Sequence, residues 1–156
     1  MFDDDAEAAW NDAYDQTLPR HFKAFDDVVP VLDELDARGI PYGAVSNNVH
    51  DYQRAKLDAA GLERIKVLVG IDAVDAAKPD PAIFREGVRL LGTDPARTLY
   101  VGDNPEVDAR GACNAGLQGI WLDRPGLGGG AAATKTLTTI ESLNELVERF
   151  LPQVRA

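Results

Sequence analysis

Short apolar runs rich in β-branched residues alternate along this chain with stretches of about ten residues whose apolar positions recur at helical spacing. That alternation constrains the fold most, because strand, helix and strand in succession mean βαβ units, a parallel sheet and right-handed crossovers. Strands are predicted at 40–45, 67–69, 98–101, 119–122 and 136–138. Helices are predicted at 4–22, 27–38, 49–60, 81–91, 106–115 and 141–150. Gly39 and Gly61 stand where two of these helices should stop, and Pro81 fits the first position of another. Ser142 and Glu145 have capping-box spacing.

A length of 156 residues suits one core, and 45% apolar with 27% charged residues is a globular composition. The formal net charge of -10 argues against nucleic acid as a partner, because phosphate backbones call for a basic surface. The single cysteine, Cys113, excludes an internal disulfide and reads as a packed, inert thiol on a helix. No apolar run approaches the roughly 20 residues that span a bilayer, and the acidic start Met1-Phe2-Asp3-Asp4-Asp5 is unlike a signal peptide. The expectation is a soluble, cytoplasmic protein.

Chemistry collects at the carboxyl ends of the predicted strands, where open α/β sheets bind ligands. Thr98-Leu99-Tyr100-Val101 runs into Gly102-Asp103, with Asp108 five residues beyond. Two acids with little nearby to neutralise them suit a hard cation such as Mg²⁺. An acid in the first turn of a helix explains Asp108 without a metal, but it explains Asp103 poorly. Ser46-Asn47-Asn48 follows another strand and could cradle an anion, although taken alone it reads as an ordinary helix cap. Lys78, between Ala77 and Pro79, could neutralise a phosphate, although a lone lysine is usually a solvated charge.

Taken together, in this order and separation, these segments resemble the haloacid dehalogenase superfamily in its phosphatase branch, of the phosphoglycolate phosphatase kind. Gly43-Ala44-Val45-Ser46 resembles the second motif of that family, Lys78-Pro79-Asp80-Pro81 the third, and Gly102-Asp103 with Asp108 the fourth. The resemblance covers about 25–150. It implies a three-layer, Rossmann-like parallel sheet and a Mg²⁺-dependent hydrolase of small phosphorylated metabolites. Ser46 and the Asn47 backbone would bind phosphate, and Lys78 would steady nucleophile and phosphate. Asp103 would hold the metal, with Asp108 orienting its surroundings.

The first motif of the family, an apolar strand ending in Asp-x-Asp, has no match. Asp3 and Asp5 have the spacing, but no strand precedes them and an acidic helix start accounts for them. The expectation is therefore a core (25–156) lacking its central first strand, preceded by a remnant cap helix (1–24), and inactive as an isolated chain. The strands ending at Ser46 and Asp103 would then close up and pair, accept a strand from another polypeptide, or be covered by self-association. Three other readings stand beside this one: a non-catalytic domain that binds phosphate or a partner, a metal-free haloacid dehalogenase, and a dinucleotide site on Gly126, Gly128 and Ala131. His21 and His50 have no catalytic partners in the sequence, and His50 reads as a helix-start residue.

Overall fold

A computed structural model describes residues 22–127 and 136–151. All but the last residue of the predicted helix 4–22, nearly all of the 1–24 cap remnant, and two of the three residues of the dinucleotide pattern fall outside them. In chain order the elements are α1 (Val28–Ala37), β1 (Gly43–Val45), α2 (His50–Ala59), β2 (Val67–Val69), α3 (Pro81–Leu91), β3 (Leu99–Gly102), α4 (Gly111–Asn114), β4 (Gln118–Leu122), β5 (Thr138–Ile140) and α5 (Asn144–Phe150). A π-helical turn, Pro105–Arg110, leads into α4.

All strand pairs are parallel, as the βαβ alternation requires, but they form two sheets. In one, β1 pairs β2 with Val45 opposite Val69. In the other, β3 pairs β4 and β4 pairs β5, with Val101 opposite Ile120 and Ile120 opposite Thr138. Among the described residues β1 and β3 have not closed up, and a slot separates them.

Side-chain alternation along the strands builds a core on each face. Ala44, Leu99 and Val101 pack with Val31, Leu35 and Leu146 of α1 and α5. Val45 and Tyr100 pack with Ile83, Phe84 and Val88 of α3 and Ala112 of α4. Helix α3 forms where the sequence places it. Pro81 takes its first position, the Asp80 carboxylate accepts from the Ala82 N–H at 2.8 Å, and Gly92 closes it.

Two local expectations are corrected. Glu145 does not form a capping box with Ser142; its carboxylate accepts from the Glu141 N–H at 2.8 Å, because α5 begins two residues after Ser142. Cys113 is exposed rather than packed, because Ala112 and Ala115 take the buried face of that short helix.

One ion pair ties the start of α1 to the segment after β4, the central strand of the second sheet. Both terminal guanidinium nitrogens of Arg124 donate to the Asp27 carboxylate at 2.9 Å, and the Leu143 N–H donates to it at 2.8 Å. Burial pushes the Asp27 carboxyl up, but Arg124 and the Leu143 N–H outweigh it and leave it below the ordinary carboxylate value. A lowered folded-state pKa gives stability that is present above the ordinary value and is lost as pH falls through the folded one. Asp27→Asn should therefore cost about 1.5–3 kcal/mol near neutrality, the range for hydrogen bonds to charged groups. It should also flatten the acid limb of stability against pH, as urea midpoints from pH 7 down to pH 2 would show.

Candidate functional site

The ends of β1 and β3 and the loop after β2 meet at one edge of the molecule. Ser46 follows β1, where its N–H still donates to Val69 of β2 at 2.9 Å. Its hydroxyl donates to Gln53 Oε1 at 3.0 Å and accepts from the Asn48 N–H at 3.1 Å, so a local network aims it. Asn47 reaches across to the Lys78 main chain. Its side-chain oxygen accepts from the Lys78 N–H at 2.7 Å, and its side-chain amide donates to the Lys78 carbonyl at 3.1 Å. This reciprocal pair locks the loop holding Lys78 to the loop holding Ser46.

The Lys78 ammonium then meets Asp108 Oδ1 at 2.6 Å, with only 13% and 6% of the two side chains exposed. Burial pulls the Lys78 pKa down, but Tyr100 and the Asp108 carboxylate more than compensate and hold it above the ordinary lysine value. The Tyr100 ring lies 5.6 Å below the ammonium. Burial pushes the Tyr100 phenol up despite the opposing pull of Lys78, so it stays neutral and donates to the Val45 carbonyl at 3.3 Å.

Asp108 is also held from its other side. The Asn104 N–H donates to Asp108 Oδ2 at 3.0 Å, while the Asn104 side chain caps the π-helical turn by accepting from the Glu106 and Val107 N–H groups. Gly102 permits this, since a Cβ there would overlap the Asp108 side chain. Asp103 is placed through its main chain, whose carbonyl accepts from Trp121 Nε1 at 3.1 Å. The Asp103 carboxylate is exposed and has no hydrogen-bond partner among the described residues.

Contacts thus run without a break from Ser46 through Asn47, Lys78 and Asp108 to Asn104 and Asp103. All five residues proposed from the sequence are brought together. Of the two acids assigned to a metal, Asp108 has both oxygens engaged and Asp103 has none. Among the described residues no cluster of three or more His, Cys, Asp or Glu could cage a metal. The one free carboxylate, Asp103, would fit Mg²⁺, which keeps several waters and needs few protein ligands.

Residues 3–122 match the sequence model of the haloacid dehalogenase-like hydrolases. The chain belongs to this family. It is 39% identical over 106 residues to a phosphoserine phosphatase of Thermus thermophilus, spanning 67% of this chain and 43% of that protein. It is 34% identical over 114 residues to a glyceraldehyde 3-phosphate phosphatase of Methanopyrus kandleri, spanning 72% of this chain and 48% of that one. The chain therefore spans less than half the length of these two relatives. Among solved structures it resembles a phosphatase of the family from Thermococcus onnurineus, at a TM-score of 0.72 and 31% identity, covering 86% of this chain and 63% of the other. It also resembles a 2-haloacid dehalogenase from Pseudomonas syringae, at 0.74 and 27%, covering 94% and 63%.

Within this haloacid dehalogenase-like chain, three residues of the site escaped sequence reasoning, Gln53, Tyr100 and Asn104, and so did the side-chain role of Asn47. Asn104 carried a readable signal, because Asn before Pro-Glu is a helix cap followed by proline at the first position. The other three act across loops and strands, and nothing local marks them.

Proposed function

We propose that this chain carries the phosphate-gripping and Mg²⁺-holding part of a phosphate monoester hydrolase acting on a small phosphorylated metabolite, and that it does not turn over by itself. The Lys78–Asp108 contact carries the reading, because it joins the third and fourth motifs while Asn47 joins the second to the third. Ser46 and the Asn47 N–H bind the phosphoryl oxygens. Lys78 places a fixed positive charge beside them. Asp108 orients that charge, and Asp103 offers its carboxylate to the metal. Bound Mg²⁺ would offset charge on the transferring group. The attacking carboxylate has no equivalent at this edge among the described residues.

Tungstate, an unreactive tetrahedral oxyanion, and Mg²⁺ should bind cooperatively, and Asp103→Asn should weaken the Mg²⁺ dependence by about tenfold or more, the effect of losing the direct carboxylate ligand. Titration calorimetry would read this without requiring activity. Likeness to a dehalogenase supports a metal-free alternative, and oxyanion binding indifferent to Mg²⁺ would favour it. Para-nitrophenyl phosphate should not be hydrolysed. Turnover that survives Asp3→Asn yet disappears with Asp103→Asn would show that the chain needs no other nucleophile.

A further inference from the structure

Beside Asp103 lies a cavity of about 440 Å³, within the size range of small-molecule sites. Phe25, Leu122 and Leu127 give it apolar walls. Phe25 and Leu127 are 56% and 67% exposed, and large apolar side chains left bare around one hollow mark a binding surface. Three charged residues share the cavity: Asp103, Asp123 and Arg124.

Their charges are not equally available. Arg124 commits both terminal nitrogens to Asp27, and the two side chains are only 15% and 8% exposed, so this cation is already offset. Its guanidinium also covers the Phe25 ring at 4.0 Å. Asp103 is the carboxylate offered to a metal. The Asp123 carboxylate has no hydrogen-bond or ion-pair partner among the described residues.

The backbone holds Asp123 in place. It follows β4, and its N–H donates to the Ile140 carbonyl of β5 at 2.8 Å. Asp103 follows β3, the neighbouring parallel strand, in which Gly102 stands opposite Trp121. Asp123 therefore lies one residue further out along its strand than Asp103 does. With strands about 4.8 Å apart and a rise of about 3.3 Å per residue, the two Cα atoms are roughly 6 Å apart.

We propose that this cavity receives the alcohol part of the phosphate ester, and that Asp123 selects an ester carrying a primary ammonium on a short alkyl chain. This assignment rests on the reading of Ser46, Lys78 and Asp103 as a phosphate and metal site, and adds the class of ester bound there. A two- or three-carbon chain would run along the apolar walls and bring its ammonium to Asp123. The attraction is stronger in a half-enclosed cavity than in open water, where the dielectric is higher. An ester with a carboxylate in the same place, such as phosphoglycolate, would meet Asp123 with no free cation among the described residues to offset the repulsion.

The test compares 2-aminoethyl phosphate with its uncharged counterpart, propyl phosphate, by titration calorimetry on the full chain with Mg²⁺. The amine should bind about fivefold tighter, the upper range for a partly screened ion pair. Phosphoglycolate should bind more weakly than either. Asp123→Asn should bring the ratio of amine to propyl affinity to about one. Added salt should shrink the ratio in the parent and leave it unchanged in the variant. Comparing ratios removes any general effect of the substitution on folding or on anion binding. Equal binding of the two esters by the parent, or a preference kept in Asp123→Asn, would overturn the proposal. Tungstate binding without preference between the esters sinks the proposal alone. Absence of tungstate binding as well sinks the phosphate-site reading beneath it.

Discussion

Gly119→Ala is expected to destabilise the protein by at least about 3 kcal/mol, at the upper end of overpacking penalties. Gly119 sits in β4, where a Cβ would overlap the Ala109 carbonyl and crowd Cys113 Sγ. The clash is with backbone, so no rotamer can relieve it. Ala109 belongs to the π-helical turn and is fully buried. To make room, the turn would have to lift from β4, and Asp108 next to Ala109 would move with it. Urea unfolding followed by Trp121 fluorescence would read the loss. A midpoint within error of the parent would mean that β4 and the turn are not in van der Waals contact.

Breaking the Lys78–Asp108 pair is the second large effect. Removing one partner leaves the other charge buried and uncompensated, at a cost of about 3–5 kcal/mol. Lys78→Met strands the Asp108 carboxylate, and Asp108→Asn keeps the Asn104 hydrogen bond but strands the ammonium. The double variant should lose less than the sum of the two, with a coupling of roughly 0.5–3 kcal/mol, as for residues in direct contact. Because the Lys78 pKa is raised in the folded state, its contribution is fully present below the ordinary lysine value and is lost as pH rises through the raised one. The parent should therefore lose stability in strong alkali more steeply than Lys78→Met does. Additive single losses, or identical alkaline limbs, would show the pair to be energetically idle.

How much of this was legible depended on how local each determinant is. Helix α3 has the bounds the sequence predicts, 81–91, because Pro81 opens an amphipathic run. Strand β2 was read with equal accuracy, because β-branched valines bracket it. The segment 106–115 was read as one α-helix. In fact its first half is π-helical, with the Asn104 carbonyl accepting from both Asp108 and Ala109. The Asp108 carboxylate bonded back to the Asn104 N–H accompanies that wider turn, and this is tertiary information. Such π-helical irregularities often mark functional sites. The structure brings Ser46, Asn47, Lys78, Asp103 and Asp108 to one edge because each follows, or is tied to, the carboxyl end of a parallel strand. The Asn47 clamp and the Tyr100 bridge were not legible, because each joins residues more than thirty positions apart.

Asn47 grips Lys78 only through main-chain atoms, which every amino acid carries. The loop would therefore keep its course under any replacement at position 78 that its backbone tolerates, whether or not an ammonium remains. Evolution could silence the chemistry at this position while leaving the cradle upright. A descendant so altered would keep the two loops joined after losing the buried charge pair between Lys78 and Asp108.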